Sequence, residues 1–307
     1  MLYNNATQLI GNTPLLTLHH LMQSEELSAT IMGKLEFYNP AGSIKDRAAL
    51  FMIEAAEKAG SLLPGGTVIE ATSGNTGIGL AAVASARGYR TVIVMPDSMS
   101  IERQKLLRAF GAQLVLTPGA EGMDGAVKKA EALQAEIPGS FIASQFENES
   151  NVLSHEETTG PELWHDTDGK LDILVCGVGT GGTLTGCGRY LKKQNPNIKI
   201  VAVEPAASPL LSQGKAGRHG LQGIGANFVP KILDISLIDE IIPVTEHAAY
   251  SAARQLCDCE GILVGISSGA ALHAAIAIAK RPKNANKHIA VIFPDGGDRY
   301  LSTELFN

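Results

Sequence analysis

Lys45 stands in Asn39-Pro40-Ala41-Gly42-Ser43-Ile44-Lys45-Asp46-Arg47, ahead of Ala49, Met52, Ile53 and Ala56 at helical spacing. That pattern puts a primary amine in the first turn of a helix. A cation there opposes the helix dipole, and the same field together with burial lowers a lysine pKa, leaving a nucleophilic amine. The ordinary alternative is a solvated lysine paired with Asp46 or another carboxylate. The motif alone leaves both open.

Three further loops join a strand-like run to a helix-like one, where ligands of open α/β sheets bind. Thr72-Ser73-Gly74-Asn75-Thr76-Gly77 offers hydroxyls and successive backbone N–H groups at a helix start, a receiver for a carboxylate or phosphate. Its plain alternative is a turn with an N-cap. Gly177-Val178-Gly179-Thr180-Gly181-Gly182-Thr183 satisfies G-x-G-x-x-G, and Glu204 ends the next strand where a ribose-binding carboxylate belongs. By itself this segment favours an NAD-binding oxidoreductase. It equally describes a phosphate cradle in which Thr180 and Thr183 add hydroxyl donors. Gly265-Ile266-Ser267-Ser268-Gly269 matches the G-x-S-x-G elbow, but the later histidines, His273 and His288, fall within the following helix and at a strand start. A hydrolase is therefore disfavoured, and a serine capping the helix is the ordinary reading.

Short β-branched runs alternating with alanine-rich helical patterns must position these loops. Strands are expected at 67–71, 91–95, 113–117 and 141–143, with helices at 77–87 and 101–110 and a third ending near 135. Ser100 reads as an N-cap and Gly111 as a left-handed helix end. The second half repeats the order, with strands at 171–176, 198–204 and 288–293 and helices at 182–193, 246–260 and 268–280. Between Pro205 and Pro243 the pattern weakens into a glycine-rich connection of the kind that is usually functional or mobile. The order implies an α/β protein with two three-layer domains, mostly parallel sheets and an active site in the cleft between them. The expected division is 1–145, carrying the lysine and the Thr72 loop, and 146–307, carrying the glycine loop.

Composition narrows the function. The chain has 307 residues, 45% of them apolar, and a formal charge of −6, which argues against disorder and against a general nucleic-acid binder. No apolar stretch approaches the roughly 20 residues of a membrane span, and the first residues lack a secretion signal, so a cytoplasmic protein is expected. Cys176, Cys187, Cys257 and Cys259 suit free thiols rather than a disulfide framework. Cys257-x-Cys259 lacks the second close pair of a zinc site, so no metal is expected.

Taken together and in this order, the four loops resemble the O-acetylserine sulfhydrylase (cysteine synthase) family of pyridoxal-phosphate enzymes, of fold type II. The likeness runs from Ile10-Gly11-Asn12-Thr13-Pro14-Leu15 through Thr158-Thr159-Gly160-Pro161-Glu162 to Asp298-Arg299-Tyr300-Leu301-Ser302-Thr303. The resemblance implies that Lys45 forms a Schiff base with pyridoxal 5'-phosphate and that Gly179, Thr180, Gly181, Gly182 and Thr183 hold the phosphate. It further implies that Asn75 bonds the ring 3'-oxygen and that Ser267 faces the pyridine nitrogen. Thr72, Ser73, Gly74, Asn75, Thr76 and Gln145 would bind the substrate carboxylate, with Gly223 beside the amino-acid site. The N-terminal segment would pack on the second domain.

The residue chemistry fits that assignment. The cofactor needs an amine, an anion cradle and control of ring charge, and a neutral Ser267 would not force protonation of the ring. β-Elimination is then favoured over transamination. The implied reaction makes L-cysteine from O-acetyl-L-serine and sulfide through an α-aminoacrylate, with Lys45 as general base and ping-pong kinetics. The glycine loop and the 219–225 segment look like the sulfide-using isozyme, whereas 39–47 and 295–299 look more like the one that also accepts thiosulfate. Other acceptors or donors, giving cystathionine, lanthionine or sulfide, are the alternatives. Asp298 could polarise the nucleophile or pair with Arg299. A homodimer and docking of a serine acetyltransferase are implied by the resemblance alone.

Overall fold

In the computed structural model, the alternation of β-branched and alanine-rich runs forms ten strands and eleven α-helices among the described residues, 2–307. The strands begin with β1 (Leu15–Thr17), β2 (Thr30–Leu35), β3 (Thr67–Ala71), β4 (Arg90–Pro96) and β5 (Gln113–Thr117). They continue with β6 (Ser140–Ile142), β7 (Ile173–Gly177), β8 (Lys199–Pro205), β9 (Glu240–Val244) and β10 (His288–Phe293). The first helices are α1 (His19–Ser24), α2 (Lys45–Lys58), α3 (Asn75–Arg87), α4 (Ile101–Ala109), α5 (Gly122–Glu136) and α6 (Glu149–Ser154). The rest are α7 (Gly160–Asp166), α8 (Gly182–Gln194), α9 (Leu210–Gln213), α10 (Glu246–Glu260) and α11 (Ile266–Ala279).

These elements group into two units. The first joins the N-terminal segment through Ile10 to Asn39–Ser154, and the second joins Gly11–Tyr38 to His155–Asn307. The expected division at 145 lies inside the first of these, because α6 packs on α2 there. Residues 11–38 belong to the second because β2 pairs in parallel with β10, from His288 opposite Thr30 to Phe293 opposite Leu35.

In the first unit the sheet order is β5-β4-β3-β6, with every pair parallel. Alternate residues of a strand face opposite sides. Val68 packs with Met52, Ile53, Leu80 and Val83 of α2 and α3, while Ile69, Val92 and Val94 pack with Ala126 and Ala130 of α5. Helices thus cover both faces, and each fully buried aliphatic side chain contributes about 1.5–3 kcal/mol by leaving water. Glu70 shares the Val68 face, a carboxylate among apolar neighbours.

In the second unit the order is β1-β2-β10-β7-β8-β9, parallel except for the antiparallel pair β1–β2. Ile173, Val175, Val201 and Val203 pack with residues of α10 and α11. The opposite face of β8 turns Ile200 toward Gly188 of α8. α10 starts at Thr245, whose hydroxyl accepts from Ala248 N, and stops at Gly261 with φ +68°, the left-handed end a glycine adopts without strain. β1, β2 and β9 went unread in the sequence. β1 has three residues, β2 spans only six, and β9 carries Pro243.

Candidate active site

In the first unit Lys45 is the first residue of α2, as its spacing implies, and is half-buried. No side chain caps that helix; Lys45 N donates to Ser43 Oγ at 3.2 Å. Asp46 is buried and its Oδ2 accepts from Ala41 N at 2.6 Å, tying the preceding loop to the helix start. α3 lies directly against this backbone. A Cβ on Gly79 would sit 2.9 Å from the Lys45 carbonyl oxygen, so glycine is what lets the two helices approach. Sequence reading missed Gly79, although its place on the helix of the Thr72 loop was the available signal.

Thr72 to Thr76 form the turn from β3 into α3, which begins at Asn75 rather than at Gly77. Gly74 occupies the N-cap position with no side-chain cap, and a helix start of this kind favours an anion. Gly74 N donates to Thr72 Oγ1 at 3.2 Å, and Arg103 Nη1 donates to the Ser73 carbonyl at 2.8 Å. Thr76 donates its hydroxyl to Gln145 Oε1 at 2.5 Å, so the structure brings Gln145 to the loop from a distant point in the sequence. The backbone N–H groups of Ser144 and Gln145 donate to Glu70 at 2.9 and 3.3 Å. Burial drives the Glu70 pKa up to about 7, against the lowering effect of those N–H groups and of the Gln145 side chain.

In the second unit the glycine loop joins β7 to α8 with Gly181 at the N-cap, φ +86°, and no side-chain cap. Gly179 and Gly181 have no room for a side chain. A Cβ on Gly179 would lie 2.3 Å from the Gly223 carbonyl oxygen, and one on Gly181 would lie 2.7 Å from Leu233 Cβ. Thr180 Oγ1 accepts from Gly182 N at 3.4 Å. The position of a Gly223 Cβ, at φ +93°, lies 3.5 Å from Ser267 Oγ. Gly179, Gly223 and Ser267, assigned from separate motifs, are therefore neighbours.

Two features here escaped the sequence. His155 is fully buried, with Nδ1 2.9 Å from Thr159 Oγ1 and Nε2 3.2 Å from Thr183 Oγ1, so it orients a hydroxyl of the glycine loop. Tyr300 donates its hydroxyl to buried Asp295 at 2.6 Å, and Asp295 O accepts from Gly265 N at 3.1 Å, two residues before Ser267. Asp298, by contrast, is exposed.

Two sequence readings are corrected. Glu204 is no ribose ligand: its oxygens accept from Leu211 N at 2.7 Å, from Ser212 N at 3.2 Å and from the Ser212 hydroxyl, so it caps α9. The fingerprint spacing sees the strand end but not the short helix after it. Neither Ser267 nor Ser268 caps α11, which starts at Ile266 with Gly265 at the N-cap.

A glycine-rich cradle with threonine hydroxyls, fronting a helix with no side-chain cap, suits a phosphate, and a half-buried amine at another helix start suits an aldehyde. The chain matches the model of the "Pyridoxal-phosphate dependent enzyme" family over residues 6–295. It is 52% identical over 305 residues to a cysteine synthase of Staphylococcus aureus (strain Mu50 / ATCC 700699), covering 99% of this chain and 97% of that protein. Among solved structures, a cysteine synthase from Entamoeba histolytica superposes with a TM-score of 0.96 at 44% identity, covering 100% of this chain and 91% of that one. A hydrogen sulfide-producing enzyme from Fusobacterium nucleatum gives 0.92 at 44% identity, over 98% and 100% of the two chains.

Proposed function

The chain belongs to the pyridoxal-phosphate-dependent enzyme family, and from that premise we propose that it is a cysteine synthase, making L-cysteine from O-acetyl-L-serine and sulfide by β-replacement. The observation that carries this reading is the gathering of Gly179, Gly223 and Ser267 beside the uncapped start of α8. When bound, the cofactor withdraws electrons from the α-carbon of the amino acid.

The chain supplies the rest. Lys45 Nζ would hold the cofactor covalently and, once freed, would serve as the base that takes the substrate's α-proton and returns it at the end. Gly179 to Thr183 would hold the cofactor's phosphate with backbone N–H groups and hydroxyls. Ser267 would offer the ring nitrogen a neutral hydroxyl, and Asn75 would bond the ring oxygen. Thr72 to Thr76 and Gln145 bind the substrate carboxylate, which fixes the α-proton in reach of Lys45. Acetate departs from the β-carbon and sulfide bonds there. The expected state is a cytoplasmic homodimer able to dock a serine acetyltransferase; among the described residues no helix is long and apolar enough to cross a membrane.

The test is product analysis with purified protein, added cofactor and sulfide, offering O-acetylserine, O-phosphoserine, serine and cysteine separately. Cysteine formed fastest from O-acetylserine is the expected result. Turnover confined to another donor, or thiosulfate replacing sulfide as the preferred acceptor, would overturn it.

A further inference from the structure

We propose that Glu70 is a positioning residue for substrate binding, holding Gln145 in the orientation that receives the amino acid's carboxylate. The inference rests on the reading of Gln145 as a substrate contact and names what sets it.

Glu70 sits on β3 with 3% of its surface exposed, on the face otherwise filled by Val68, Met52, Ile53 and Leu80. A carboxylate in such surroundings is costly unless donors converge on it. They do: Ser144 N at 2.9 Å and Gln145 N at 3.3 Å. Ser144 has φ +53°, a left-handed conformation that a serine adopts at a cost. The two N–H groups gripped by Glu70 belong to this turn and to the next residue, so the carboxylate keeps the turn in its uncommon shape.

Gln145 is then fixed at its backbone and at its side chain. Its backbone N–H donates to Glu70 at 3.3 Å, and its Oε1 accepts from Thr76 at 2.5 Å. With the amide oxygen taken by Thr76, the side chain presents its nitrogen, a donor only, to an acceptor such as a carboxylate. Asn151 Nδ2 holds the Gln145 carbonyl at 2.9 Å, so the backbone cannot compensate for a lost side-chain anchor. A carboxylate suits this place because it only accepts, whereas an amide has a single accepting oxygen and must turn its own N–H groups toward the same two donors.

The experiment is a double-mutant cycle of Glu70→Gln and Gln145→Ala, with KM and kcat for O-acetylserine measured near pH 8 and backbone hydrogen exchange followed at 144 and 145. Glu70→Gln is expected to raise KM about tenfold, the scale of one lost charge-assisted hydrogen bond, with kcat within about threefold. Exchange at 144 and 145 should quicken by at least about tenfold. The double variant should bind no worse than Gln145→Ala alone. Additive losses, or unchanged exchange in Glu70→Gln, would overturn the proposal. If Gln145→Ala leaves KM unaltered, the reading of Gln145 is what fails, and the proposal falls with it. Absence of turnover by the unmodified enzyme would sink the proposed activity, while the exchange measurement still decides whether Glu70 holds the turn. Should Glu70→Gln not fold, Glu70→Asp takes its place in the same cycle with the same outcomes.

Discussion

The glycine loop of the second unit and the Thr72 loop of the first both join a parallel strand to a helix that lacks a side-chain cap. They are held by different means. The glycine loop is fixed by exclusion: backbone packs on backbone, with a Gly179 Cβ position only 2.3 Å from the Gly223 carbonyl. The Thr72 loop is fixed by polar bonds running from Thr76 through Gln145 to the buried Glu70. Its own Gly74 has space, the nearest atom to a Cβ there being Thr72 Oγ1 at 4.0 Å. In the proposed function, the cofactor's cradle is thus shaped by what cannot fit and the substrate's by what is bonded.

The contrast is most exposed at its glycines. Gly179→Ala forces backbone apart, and overpacking of this kind costs about 1–3 kcal/mol, enough to weaken cofactor retention roughly tenfold to a hundredfold. Gly74→Ala should leave retention within about twofold, since ordinary space receives the methyl group. Equilibrium dialysis of the cofactor checks both. Equal damage from the two variants would break the distinction between the loops.

A smaller effect sharpens the polar side of the comparison. The Glu70 pKa is raised from 4.5 to about 7 chiefly by burial, so the folded state binds the proton more tightly than the unfolded one. Its favourable contribution is complete below pH 4.5 and is lost as pH rises toward about 7. Relative to Glu70→Gln, the unmodified protein should therefore lose stability across that interval, by on the order of 3 kcal/mol, and hold steady above it. Urea unfolding of both proteins at pH values spanning the interval gives the difference directly. A gap that does not change with pH would mean that Glu70 is not desolvated as its position requires.

The same contrast explains what was legible in the sequence. Steric exclusion leaves a written trace, because a position that cannot hold a Cβ must be glycine; Gly177 and Gly179 of the G-x-G-x-x-G motif are two such positions. Lys45 was legible from the helical spacing that follows it. The strands Thr67–Ala71, Gln113–Thr117 and His288–Phe293 and the helix Glu246–Glu260 fall where period and punctuation put them. Polar anchoring leaves no such trace. Glu70 reads as one residue of a strand, and its partners Ser144 and Gln145 lie far along the chain. His155 and the Asp295–Tyr300 pair were hidden for the same reason, since a hydrogen bond across the fold has no sequence period. Glu204 shows the opposite error, a true spacing whose meaning was changed by a four-residue helix.

The central claim is that the amine at the start of α2 carries the cofactor. Borohydride treatment of the purified holoenzyme, followed by digestion and mass spectrometry, tests it most directly. The account predicts a stable cofactor adduct on the peptide containing Lys45 and none in Lys45→Ala, which should also lose at least about a thousandfold in turnover. An adduct on another lysine, or full turnover by Lys45→Ala, would contradict it.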